Sequence, residues 1–115
     1  LGAGAKEVFM VAEPMAAAPG REDSARMLEE IRAIDRARTA LANEDPELCL
    51  RAVTDYEAAF GERRFEPEAL YLRMEALDRL GDGPGERATA TQLLESFPRA
   101  PQTARAKVVL GKLAP

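Results

Sequence analysis

The chain has 115 residues, 46% of them hydrophobic but only 5% aromatic, and carries a net charge of −4. This is one domain's worth of protein, and its acidic balance argues against a nucleic-acid binder, which needs a basic face to neutralise phosphate. There is no histidine and one cysteine, Cys49, so an internal disulfide is excluded and the commonest general base and metal ligand are missing.

No run of about 18 apolar residues occurs, so no membrane span is expected. Charged residues make up 31% of the chain, and 22 residues are alanine. Rich in the strong helix formers Ala, Leu, Arg and Glu, the sequence reads as all-α. Residue 1 is Leu rather than Met, which reads as a piece of a longer chain.

The first element is residues 1–21. "KEVFMV" is apolar on both faces when drawn as a strand, and "EPMAAAPG" has the Ala/Pro composition of a spacer. The segment reads as a linker or tether with a short apolar stretch, Val8, Phe9, Met10 and Val11, extended or forming one helical turn. A chain end of this kind frays unless it is tied down, so Phe9 is expected against apolar side chains of a helix face, in its own or another copy.

Residues 22–115 read as a helical domain. Asp23 or Ser24 caps a first helix near 23–43 with an apolar stripe at Met27, Leu28, Ile31, Ile34, Ala37 and Leu41. Asp45-Pro46 opens a second helix, to residue 60, striped by Cys49, Ala52, Val53, Tyr56 and Phe60. Pro67 starts a third whose apolar residues, Leu70, Leu72, Met74, Ala76 and Leu77 among them, cover much of its circumference and predict the most buried helix. "LGDGPG", 80–85, is a turn dense in breakers. A fourth helix follows with Ala90, Leu93 and Leu94 and stops at Phe97-Pro98, and Pro101 opens a fifth with Val108, Val109 and Leu110. The expected core is Leu28, Ile31, Ile34, Val53, Tyr56, Leu70, Met74, Leu77, Leu94 and Phe97.

Landmarks recur along these helices. Pro67 and Pro101 stand at helix starts, "TAL" at 39–41 answers "EAL" at 75–77, and Phe60 and Phe97 each end a second helix. A helix–turn–helix unit repeating at about 34–38 residues is the signature of a helical array. On these residues, 27–113 resembles the tetratricopeptide-type repeat. "FPRAPQTA", 97–104, is similar to the linker between repeats of bacterial envelope proteins, and "FGERRFEPEA", 60–69, is a looser version. The departures are Gly61 after Phe60, the lengthened turn at Gly83-Pro84-Gly85, and the absence of a large aromatic in each first helix. The resemblance implies two stacked helix–turn–helix repeats and a C-terminal capping helix, with a concave face lined by the first helices.

No phosphate loop, metal-ligand spacing or nucleophile elbow is present, so no catalysis, metal or cofactor is expected. Cys49 lies on the apolar stripe, where a buried thiol is inert. Arg32, Arg36 and Arg38 form either an anion-binding patch or, with Glu29, Glu30 and Asp35 interleaved, a solvated mixed-charge face. Tyr71 is either a groove contact or a core aromatic with its hydroxyl at the rim. The candidate partner contacts are therefore Val8, Phe9, Met10, Val11, Arg32, Arg36 and Tyr71. The function expected is a scaffold for a protein or peptide partner, the soluble part of a longer bacterial protein that the resemblance places in the envelope or periplasm. The alternative is a self-associating regulatory or structural appendage of a membrane-anchored signalling or transcription-control protein, with a homodimer as its expected form.

Overall fold

A computed structural model describes the backbone of residues 2–113 and the side chains of residues 20–112. Its helices are α1 (Gly2–Ala42), α2 (Pro46–Ala59), α3 (Glu66–Arg79), α4 (Gly83–Ser96) and α5 (Thr103–Leu113), with no strand among the described residues. No helix among them is long and apolar enough to cross a membrane. α1 corrects one expectation: it begins at Gly2, so residues 6–11 are helical rather than extended. The expected contact of Phe9 concerns a side chain outside the described ones.

The remaining boundaries follow the punctuation except one: Gly83-Pro84-Gly85, expected in a lengthened turn, form the first turn of α4, because Asp82 caps the helix ahead of them. The Asp45 carboxylate accepts from the Leu48 N–H at 3.2 Å and caps α2, with Pro46 in the first turn, where its missing N–H costs nothing. The Asp82 carboxylate does the same for Gly85 N–H at 2.9 Å, ahead of Pro84. The preceding helices also end alike. Asp45 N–H donates to Ala40 O and Asp82 N–H to Leu77 O, each at 2.9 Å, around one left-handed residue. That residue is Glu44 (φ 59°) in the first turn and Gly81 (φ 75°) in the second.

α1 and α2 pack together across a three-residue connection, as do α3 and α4. Such short links between contacting helices make two antiparallel hairpins. α3 lies against both α1 and α2, and α5 packs on α4. Two apolar clusters result. One joins Ala33, Ile34 and Ala37 of α1 to Cys49, Val53 and Tyr56 of α2 and to Ala69, Leu72 and Ala76 of α3. The other joins Leu70 and Met74 of α3 to Ala90 and Leu93 of α4 and to Ala106 and Val109 of α5. α3 contributes to both, as its all-round apolar sequence predicts, and alanine at many contacts allows close approach.

The core expectation holds for Ile34, Val53, Tyr56, Leu70 and Met74, all buried. Leu77, Leu94 and Phe97 are half-buried, and the last two pack on the rim of the second cluster. Leu28 and Ile31 depart from it, at 45% and 37% exposed. The buried side of α1 runs through Glu30, Ala33, Ile34, Ala37 and Leu41, so the helix is rotated away from the stripe that begins at Met27 and Leu28.

The two hairpins match position by position at a spacing of 37 residues. The buried positions of α2, Cys49, Ala52, Val53 and Tyr56, recur 37 residues later as Glu86, Thr89, Ala90 and Leu93 in α4. Asp45 and Asp82, Glu44 and Gly81, and Phe60 and Phe97 keep that spacing. Ala69 and Leu72 of α3 recur at the same distance as Ala106 and Val109 of α5, all buried.

Candidate functional site

Two polar arrangements stand out, one inside the fold and one on its surface. The first centres on Glu30, which is fully buried on α1. Its Oε1 accepts from the Tyr56 hydroxyl at 2.8 Å and from Arg64 N–H at 3.1 Å, and its Oε2 faces the Arg64 guanidinium at 3.1 Å. The Tyr56 oxygen in turn accepts from Phe65 N–H at 3.0 Å. A buried charge persists only with such company. Burial first, and then the bond to Glu30, pushes the Tyr56 phenol above its ordinary range, so it stays protonated and donating. The arrangement pins the connection between the hairpins to α1 and is structural. Sequence reasoning placed Glu30 on a solvated face; the residues that bury it come from α2 and the 60–65 connection.

Cys49 is fully buried, its Sγ 3.8 Å from Leu72 O. Desolvation raises its pKa, against a smaller lowering by Arg79, so the thiol is protonated at neutral pH. It packs as a small apolar group. Tyr71 is half-buried between the two clusters and packs on both. The side chains of Val8, Phe9, Met10 and Val11 lie outside the described residues.

Arg32 and Arg36 do come together, in a groove of about 590 Å³ between α1 and α2 with no α3 residue in its lining. Its floor is Ala40, Leu48 and Ala52, and Arg51 of α2 stands across it from the two α1 arginines. Tyr71 is not part of it. Arg51 and Leu48 escaped the sequence reading, although a signal existed: Leu48 stands off the Cys49–Val53–Tyr56 stripe and is 42% exposed, with Arg51 three residues on.

Several arginines of this surface are ion-paired. Arg38 is held by Asp35 and Glu68, Arg73 by Glu57, and Arg105 by Glu75. Arg32, Arg36 and Arg51 make no hydrogen bond or ion pair among the described residues. Three free guanidinium groups thus surround an apolar floor on a chain of net charge −4. Asp35 and Asp55 also line the groove, the former engaged by Arg38. No group of three or more acidic or cysteine side chains among the described residues is placed to hold a metal ion.

Compared with protein-family models, with curated proteins and with solved structures, the chain matches none.

Proposed function

We propose that the chain is a non-catalytic protein–protein interaction scaffold of the tetratricopeptide-like type, with two helix–turn–helix repeats and α5 as the cap. The observation that carries this reading is the 37-residue recurrence of buried positions, helix caps and left-handed turn residues. Repeat arrays stack supersecondary units and present extended surfaces rather than one enclosed site. The capping role of α5 is supported by its outer positions. Lys107, Val108 and Gly111 are exposed where α3, 37 residues earlier, carries Leu70, Tyr71 and Met74. Lys107 and Gly111 give the polar or small outer face that terminates such a stack, while Val108 stays apolar and 56% exposed. In this reading the chain is the soluble part of a longer bacterial protein working in the envelope.

Self-association is the second reading. Met27, Leu28 and Ile31 of α1 are 37–45% exposed, an apolar strip suited to a second copy. In that case the chain is a regulatory or structural appendage of a membrane-anchored signalling or transcription-control protein. Affinity capture on the immobilised chain, paired with sedimentation over a concentration series, separates the two. A saturable partner bound by a monomer supports the scaffold. A dimer that forms with concentration and is abolished by Leu28→Lys and Ile31→Lys, with no partner captured, replaces it with self-association.

A further inference from the structure

The groove between α1 and α2 corresponds to a surface that is already occupied elsewhere in the molecule. Moved 37 residues on, Arg32, Asp35 and Thr39 become Ala69, Leu72 and Ala76 of α3. Those three are buried against the first hairpin. The α1 wall of the groove is therefore the face on which, one repeat later, a preceding hairpin is seated. Leu48, Arg51 and Asp55 of the α2 wall map instead onto Gly85, Ala88 and Gln92 of α4, of which Ala88 and Gln92 are exposed. In α1 the matching residues line an open groove with α2 instead and are charged or polar in place of alanine and leucine.

The seated pair also shows how the groove's arginines are used. Arg36 corresponds to Arg73, and Arg73 is ion-paired with Glu57 of α2, across the hairpin boundary. The same position in the first repeat keeps the arginine and lacks the carboxylate. Arg32 and Arg51 stand free beside it, and Ala40, Leu48 and Ala52 supply a floor for apolar side chains.

We propose that this groove receives an acidic amphipathic helix from a partner protein, its apolar stripe on Ala40, Leu48 and Ala52 and its carboxylates on Arg32, Arg36 and Arg51. The proposal rests on the scaffold reading and names the chemistry of its partner. The charges fit: three unpaired guanidinium groups outnumber the one unpaired carboxylate of the groove, Asp55, on a chain of net charge −4, so an acidic helix is drawn here in preference to the rest of the surface. The α1 wall fits a helix as well, because the matching face of α3 packs against α1 and α2.

A displayed library of helical peptides tests it, with Leu or Ala fixed at helical spacing and the remaining positions drawn from Glu, Lys, Gln and Ser. Selection is made on the whole chain and counter-selection on the variant Arg32→Gln, Arg36→Gln, Arg51→Gln. All three side chains are exposed, and an unchanged circular dichroism spectrum and melting curve establish that the variant folds. The expected result is enrichment of Glu-rich peptides whose binding weakens with added salt and falls about tenfold or more in the variant, as three rim ion pairs imply. Enrichment of neutral or Lys-rich peptides overturns the proposal, as does Glu-rich binding that the variant retains; in either case the scaffold reading survives with a different surface. If no peptide is enriched and the chain instead dimerises with concentration, both fall together.

Discussion

The two hairpins share a skeleton and differ in what fills it. In each, an aspartate caps the second helix, a left-handed residue closes the first, and a phenylalanine ends the unit. At the centre of the first stands Tyr56, bonded to a buried carboxylate; at the matching place in the second stands Leu93, bonded to nothing. Cys49 answers to Glu86 and Glu44 to Gly81. Backbone geometry and caps thus define the unit, while the side chains within it are free to be polar or apolar provided each polar atom finds a partner.

The largest test of that contrast is Tyr56→Leu, which gives the first hairpin the second's residue. It leaves Glu30 without its hydroxyl donor and Phe65 N–H without its acceptor. Breaking a buried charged arrangement on one side costs about 3–5 kcal/mol, to be read as a lowered urea midpoint. A loss under about 1 kcal/mol, the net worth of one ordinary hydrogen bond, would show that the bonds are not formed in solution.

The turn residues come next. Gly81→Ala forces an alanine to φ 75° and is expected to destabilise by about 1–2 kcal/mol, the cost of a left-handed backbone for a residue with a Cβ. Glu44→Gly is the converse. It relieves φ 59° and should raise stability by about 0.5–1 kcal/mol, less than the relief itself because glycine also loosens the unfolded chain.

The smallest change is Glu86→Gln. Glu86 is buried, Oε2 has no hydrogen-bond partner, and the nearest cation, Lys112 Nζ, lies 3.9 Å away. Desolvation, with Asp78 adding to it, raises the Glu86 pKa above the ordinary carboxylate value. An acid whose folded pKa is raised is neutral in both states at low pH and costs nothing there. As pH rises past its unfolded value, the fold must carry a charge it disfavours. Glu86→Gln should therefore raise the thermal midpoint at pH 7, and the gain should vanish as pH falls below the ordinary glutamate range. A gain that persists at low pH would mean that packing, rather than charge, is responsible.

Much of the fold was legible in the sequence where covalent punctuation is strong. Asp45-Pro46 and Phe97-Pro98 place the start of α2 and the end of α4 within a residue or two, because caps and missing N–H groups act locally. The start of α4 was misplaced, since Gly83-Pro84-Gly85 read as turn and instead form the first turn of the helix behind the Asp82 cap. The start of α1 was not legible. Pro14 and Pro19 read as breaks, yet the helix passes through both, in a stretch where Ala12, Ala16, Ala17 and Ala18 supply the highest helix propensity. The burial of Glu30 was hidden for another reason. Its partners are 26 and 34 residues away, and no local pattern announces them. The groove was half legible: Arg32 and Arg36 share a helix and a spacing, whereas Arg51 joins them only through tertiary packing.

The connection at residues 60–65 is held from both sides. Arg63 donates to the carbonyls of Glu57 and Phe60 at 3.0 and 2.9 Å, Arg64 N–H to Glu30, and Phe65 N–H to Tyr56. The matching connection at 97–102 reaches another helix through Gln102 to Glu68 at 3.1 Å, and Gln102 Oε1 is buried without a partner. The first joint is thus fastened inside the connection, whereas the second is fastened beyond it, by Arg105 of α5 on Glu75 of α3 at 2.7 Å and by Ala106 and Val109 in the second cluster. The chain is riveted once in a loop and once in a helix.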